Sequence, residues 1–120
     1  MLLKPAIDVV EESVHEGVAV LAIERTLLDP DDCPLKSRID ALVQDGVSRI
    51  LVDLSRATIL DSSDIGRLIR AHRTVRRAGG RIHLCNIRPQ VARLLQMTRL
   101  DTMFEMYPTR EEGIASLTND

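Results

Sequence analysis

The sequence predicts an α/β domain built on a mixed, mostly parallel sheet of four to five strands with about four helices. Three observations carry this. Short aliphatic runs alternate with amphipathic stretches through most of the chain, the pattern of strand-helix-strand units with right-handed crossovers. Glycines close the amphipathic stretches, and prolines or acidic residues open them. The first two extended runs are joined by a turn too short for a crossover, so the sheet begins as an antiparallel hairpin.

The elements follow in order. Residues 7–12 form the first extended segment, His15-Glu16-Gly17 a turn, and residues 18–23 a continuous aliphatic run expected of a buried strand. Leu35, Ile39, Leu42 and Val43 then recur at i, i+4, i+7 and i+8, one face of a helix. Asp31 or Asp32 is expected to cap it, with Pro34 in its first turn and Gly46 at its end. Residues 49–54 read as the strongest strand and lead into the loop 55–61 and the serines that follow. From Ser63 onward, Ile65, Leu68, Ile69, His72 and Val75 make an apolar stripe, while Arg67, Arg70, Arg73, Arg76 and Arg77 occupy other faces. Gly79-Gly80 ends that helix, and residues 81–85 are the next strand. Pro89 opens a helix that turns Val91, Leu94 and Leu95 inward, and a short strand is expected near residues 103–106. Thr109-Arg110-Glu111-Glu112 has the spacing of a capping box, with Ile114 and Leu117 anchoring the helix behind it.

A chain of 120 residues fits a single domain spanning 1–120. Phe104 and Tyr107 are its only aromatic residues apart from histidine, so the core is aliphatic. A formal net charge of −2 favours neither a nucleic-acid binder nor a polybasic membrane protein. No apolar run approaches a membrane span and the N-terminal residues lack a secretory pattern, so a cytoplasmic location without direct membrane insertion is expected.

Enzymatic patterns find little support. The chain has no G-x-G-x-x-G, Walker loop, G-x-S-x-G elbow or H-E-x-x-H. Asp61 and Asp64 have no histidine or lysine near them in sequence to work with as an acid and base pair. Cys33 and Cys85 are isolated and His15, His72 and His83 are dispersed, so neither a metal site, a redox pair nor any cofactor is expected. The acidic run Asp29, Asp31, Asp32 lacks the spacing of a calcium loop and reads as a solvated helix cap. The arginines of the second helix read either as a solvated face or as a surface for phosphate or an acidic partner. Asp61-Ser62-Ser63 stands at a helix start, where unpaired backbone N–H groups and a partial positive charge suit a hydroxyl either to cap the helix or to carry a phosphate.

The run Ile50-Leu51-Val52-Asp53-Leu54-Ser55, then Ile59-Leu60-Asp61-Ser62-Ser63, then Ile65-Gly66, resembles the signature of STAS domains, the anti-sigma-factor antagonists. Ala78-Gly79-Gly80-Arg81-Ile82 is similar to the family's helix-to-strand turn. Pro89, Val91, Leu94 and Leu95 resemble its next helix, and Thr98-Arg99-Leu100-Asp101 through Phe104 the run into its last strand. The resemblance spans roughly residues 14–117 and implies a STAS-like fold and a non-enzymatic, bacterial partner-switching role. In that family the antagonist binds a serine-kinase anti-sigma factor, phosphorylation of the serine after the aspartate breaks the complex, and a PP2C-type phosphatase restores it. The matching phosphoacceptor is Ser62, and the residues implied to meet the partner are Asp29, Asp61, Ser63, Asp64 and Arg67. The alternative that the resemblance allows is an interaction subunit without phosphorylation, such as the small STAS component of some bacterial ABC lipid transporters. The oligomeric state is left open.

Two positions depart from the family pattern. The glycine usual after the two serines is Asp64, a carboxylate expected to oppose a phosphate on Ser62 by about 1–3 kcal/mol at roughly 6 Å, hindering phosphorylation or partly mimicking it. The Gly-x-Leu-Asp turn after the second strand is replaced by Glu24-Arg25-Thr26-Leu27-Leu28-Asp29, with Asp29 the nearest equivalent of the family's aspartate.

Overall fold

The computed structural model describes residues 2–118. Strands β1 (Lys4–His15), β2 (Val18–Leu28), β3 (Arg49–Arg56), β4 (Arg81–Cys85) and β5 (Met106–Tyr107) form one sheet in the order β1-β2-β3-β4-β5. β1 and β2 pair antiparallel across the Glu16-Gly17 turn, and every later pair is parallel. The helices α1 (Pro34–Gln44), α2 (Ser62–Arg77), α3 (Pro89–Met97) and α4 (Arg110–Thr118) supply the crossovers and the C-terminal cover. The expected mixed sheet, with its N-terminal hairpin, is therefore the observed one.

Alternation along the strands divides the core in two. Ala19, Leu21, Ile50, Val52 and Leu84 face α1, α2 and α3, whose Leu35, Ile39, Leu68, Val75, Val91 and Leu95 complete the main aliphatic cluster. Val18, Val20, Leu51 and Cys85 point the other way, where Leu117 and Ile114 of α4 cover them. β3 lies in the middle of the sheet, buried on both faces from Ile50 to Leu54, and that rigid strand aims the loop carrying Asp61.

Two sequence expectations need correction. Neither Asp31 nor Asp32 caps α1. The N-cap is Cys33, which makes no side-chain cap bond, because Pro34 starts the first turn and so puts the cap one residue beyond Asp32 and two beyond Asp31. Asp29 instead organises the loop: its carboxylate accepts from the Asp31 N–H at 3.0 Å and its carbonyl from the Asp32 N–H at 2.9 Å. The last strand is Met106–Tyr107 rather than residues 103–106, since Leu100–Thr102 form a 3-10 turn that carries the chain on to Phe104, whose N–H reaches the Leu100 carbonyl. The end of α2 is as expected. Gly79, at φ +79°, and Gly80 return their N–H groups to the Arg76 and Val75 carbonyls, and Gly80 lies so close to the Ser48 carbonyl that a Cβ would stand 2.0 Å from it.

Candidate functional site

The start of α2 is fastened from both sides of its first turn. Asp61 is the N-cap: its carboxylate accepts from the Asp64 N–H at 2.9 Å, while the Asp64 carboxylate accepts from the Asp61 N–H at 3.0 Å. This reciprocal pair is a capping box with aspartate in both places. It leaves Ser62 at the first helical position, exposed, and Ser63 beside it, also exposed. Among the described residues neither hydroxyl has a hydrogen-bond partner. The choice posed by the sequence is thereby resolved for the cap, which is Asp61, and Ser62 is left chemically available.

Asp64 does not face the serines. It is fully buried. One oxygen accepts from the Ile7 N–H of β1 at 3.1 Å, and the other takes Arg25 Nε at 3.0 Å as well as the Asp61 N–H. The Arg25 guanidinium reaches on to Asp61 at 2.6 Å, so a single cation from β2 spans both carboxylates of the box. Arg67, one turn along, brings Nη1 to 3.6 Å from Asp64. The Asp64 carboxylate, expected beside a phosphate on Ser62, is turned inward, where it shares the Arg25 guanidinium with Asp61. The Asp64 N–H, and after it the Arg25 guanidinium, outweigh the cost of burial and hold the Asp61 carboxyl below its usual range.

A shallow recess of about 310 Å³ opens beside the cap, and Asp29, Asp61, Ser63 and Arg67 line it together with Lys4 and Leu28. Four of the residues expected to meet a partner are thus gathered in one place, with Ser62 next to them on the helix end and Asp64 out of reach beneath. Arg25 is the residue that sequence reasoning missed. Its signal was present in the departure from the Gly-x-Leu-Asp turn, because this departure and Asp64 meet in space as an ion pair.

The other end of the loop is anchored by Asp53 on β3. Its carboxylate accepts from Arg110 Nη2 at 2.8 Å, Arg110 Nε at 3.1 Å and the Ser55 N–H at 2.9 Å. Burial by itself would raise the Asp53 pKa, but the Ser55 N–H, Arg110 and the side chains of Ser55 and Asn86 together bring it below the ordinary value. Burial pushes the neighbouring Cys85 thiol up to about 12, which keeps it protonated and unreactive. Arg88 Nε donates to the Ser55 carbonyl at 3.0 Å, and the loop leaves β3 in a fixed direction.

The family described as STAS domain matches residues 10–113. An anti-sigma F factor antagonist of Paenibacillus polymyxa is 24% identical over 110 residues, covering 91% of this chain and 92% of that one. The crystal structure of an anti-sigma factor antagonist from Mycobacterium paratuberculosis superposes with a TM-score of 0.76 at 25% identity, over 95% of both chains. SpoIIAA, a Bacillus cell fate determinant solved in its phosphorylated form, shares the fold with a TM-score of 0.63 at 20% identity, over 95% of this chain and 97% of that one.

Proposed function

The chain belongs to the STAS domain family, and from that premise we propose that it is an anti-sigma factor antagonist whose grip on a serine-kinase anti-sigma factor is switched by phosphorylation of Ser62. One observation carries the reading: the capping box leaves Ser62 exposed and unbonded at the first position of a long helix. The N–H groups of Ser62 and Ser63 are the unpaired donors of that helix end, and a phosphate there gains roughly 0.3–2 kcal/mol from the helix dipole. Modification adds about −1.5 to −2 charges to the surface while the capping box stays formed. The domain keeps its fold, and the partner meets the new charge. Asp29, Asp61, Ser63 and Arg67 form the contact surface around the acceptor, and Asp64 acts from beneath by fixing the helix start. A PP2C-type phosphatase completes the cycle, and no catalytic step belongs to this chain.

SpoIIAA, a protein of this fold solved in its phosphorylated form, supports the reading, as do the related anti-sigma factor antagonists. The test is phosphorylation by the serine kinase that co-purifies from the native host. Intact-mass measurement should show one added phosphate, absent in Ser62→Ala and retained in Ser63→Ala, and the phosphorylated form should lose the kinase in a pull-down. Phosphate on another residue, none at all, or co-purification with a transporter ATPase in place of a kinase would overturn the assignment.

A further inference from the structure

We propose that the groove between α1 and α2 docks an acidic helical segment of a partner protein, as a contact separate from Ser62. Lys36 and Asp40 of α1 and Arg67, Arg70, Arg73 and Arg77 of α2 line this groove, which measures about 220 Å³. Asp40 is the only carboxylate on its walls, and Lys36 holds it at 2.5 Å. Among the described residues the side chains of Arg70, Arg73 and Arg77 make no ion pair or hydrogen bond. Arg67 Nη1 is buried without a hydrogen bond, its approach to Asp64 being 3.6 Å. Three uncommitted guanidiniums therefore face one slot, and Arg67 at its end turns Nη1 inward toward Asp64.

Their arrangement selects the occupant. Arg67, Arg70 and Arg77 recur at helical spacing on one side of α2, a stripe about 15 Å long. The carboxylates of an acidic helix at i, i+3 or i+4, and i+7 step along at the same rise, and a slot between two helices is the shape that a third helix fills. Ile39 and Ala71 give the slot an apolar floor. The only acid in α2 is Asp64, which is buried, so its arginines are not interleaved with acids as on a salt-bridged solvent face. In a chain of net charge −2 that concentration of cations orients an acidic protein. A nucleic acid is disfavoured by the net charge and by the lack of an aromatic side chain in the slot on which bases could stack. A small molecule needs a pocket of roughly 300 Å³ or more.

Arg67 also lines the recess beside Ser63, so the groove runs on from the helix start without including Ser62. The test uses a fluorescein-labelled peptide of roughly five helical turns, with glutamates at three- and four-residue spacing among alanines and leucines. At low salt it should bind the full chain by fluorescence anisotropy, and amide shifts in NMR spectra should map to α1 and the C-terminal half of α2. The triple substitution Arg70→Glu, Arg73→Glu, Arg77→Glu should weaken binding about tenfold or more, with the fold checked by circular dichroism and the single Arg73→Glu as a milder control. Ser62→Ala should bind as the parent does, which separates this surface from the phosphorylation reading. A peptide with lysine for glutamate should not bind. No binding, shifts confined to other elements, undiminished binding by the triple variant, or tighter binding of duplex DNA or phosphatidylglycerol vesicles through the same arginines would overturn the proposal.

Discussion

Asp64 is a fully buried carboxylate, and its setting explains both its survival there and its effect on Ser62. A charge taken out of water is tolerable only where partners replace the lost hydration, and Asp64 has two backbone N–H groups and the Arg25 guanidinium. Arg25→Ala removes the cation and leaves the carboxylate buried, a change expected to cost about 3 kcal/mol in urea unfolding. Asp64→Gly, which restores the residue usual in the family, orphans the Ile7 and Asp61 N–H groups and is expected to cost about 2–4 kcal/mol. The double variant should be less destabilised than the sum by about 1–3 kcal/mol, since neither substitution harms the protein twice. Strict additivity would show that the two departures from the family pattern are unrelated. At this scale the helix start was legible, because Asp-Ser-Ser before an apolar stripe announces a cap. The direction of Asp64 was not, because a residue three positions into a helix declares its face only when its distant partner, here 39 residues away, is known.

α4 stands on the sheet through its least bulky residue. Gly113 is buried against β3, and a Cβ there would lie 2.6 Å from Leu51 Cδ1 and 2.8 Å from Cδ2. Leu51 is itself fully buried and has little room to withdraw. Gly113→Ala should therefore destabilise the domain by about 1–3 kcal/mol through overpacking, against the usual helical advantage of alanine. Leu51→Val should be milder in the Gly113→Ala background than alone, and thermal unfolding of the four proteins checks it. Equal cost in both backgrounds would place the strain elsewhere. Strands and helices were legible where one signal dominated: β3 from its aliphatic run, α2 from its stripe and paired glycines, α4 from Thr109, whose hydroxyl accepts from the Glu112 N–H at 3.1 Å. The cap of α1 and the place of β5 were not. Three aspartates compete for one role before Pro34, and Arg99 in the left-handed region, at φ +61°, spends residues on a turn that no glycine marks.

Across the whole molecule, the groups with lowered pKa values tie the hairpin, the central strand and both helical layers together, which makes acid the condition that loosens all of them at once. Asp61 joins α2 to β2, Asp53 joins β3 to α4, and Glu12 joins β1 to Arg38 of α1. For Glu12 the Arg38 hydrogen bond is the main cause of the lowering. The layering was legible from the alternation of elements, but these ties were not, since each joins residues far apart in the chain. A carboxyl whose folded pKa lies below its unfolded value adds stability above about pH 4, and that stability is lost as the pH falls through the folded value. His72 acts at a higher pH. It lies edge-on to Phe104 with ring centroids 5.1 Å apart, and burial, then Arg76 and Arg73, lower its pKa. The folded state thus resists its protonation, and the stability that this supplies is present above about pH 6.5 and declines as the pH falls below that value. Unfolding free energy measured by urea titration across pH should show a shallow decline beginning below about 6.5 and a steeper one below about 4. His72→Phe should flatten the upper decline and leave the lower one intact. Parallel curves for the two proteins between about pH 7 and 5 would remove His72 as its source, while loss of the acid arm in Arg110→Met would locate that arm in the Asp53 clamp.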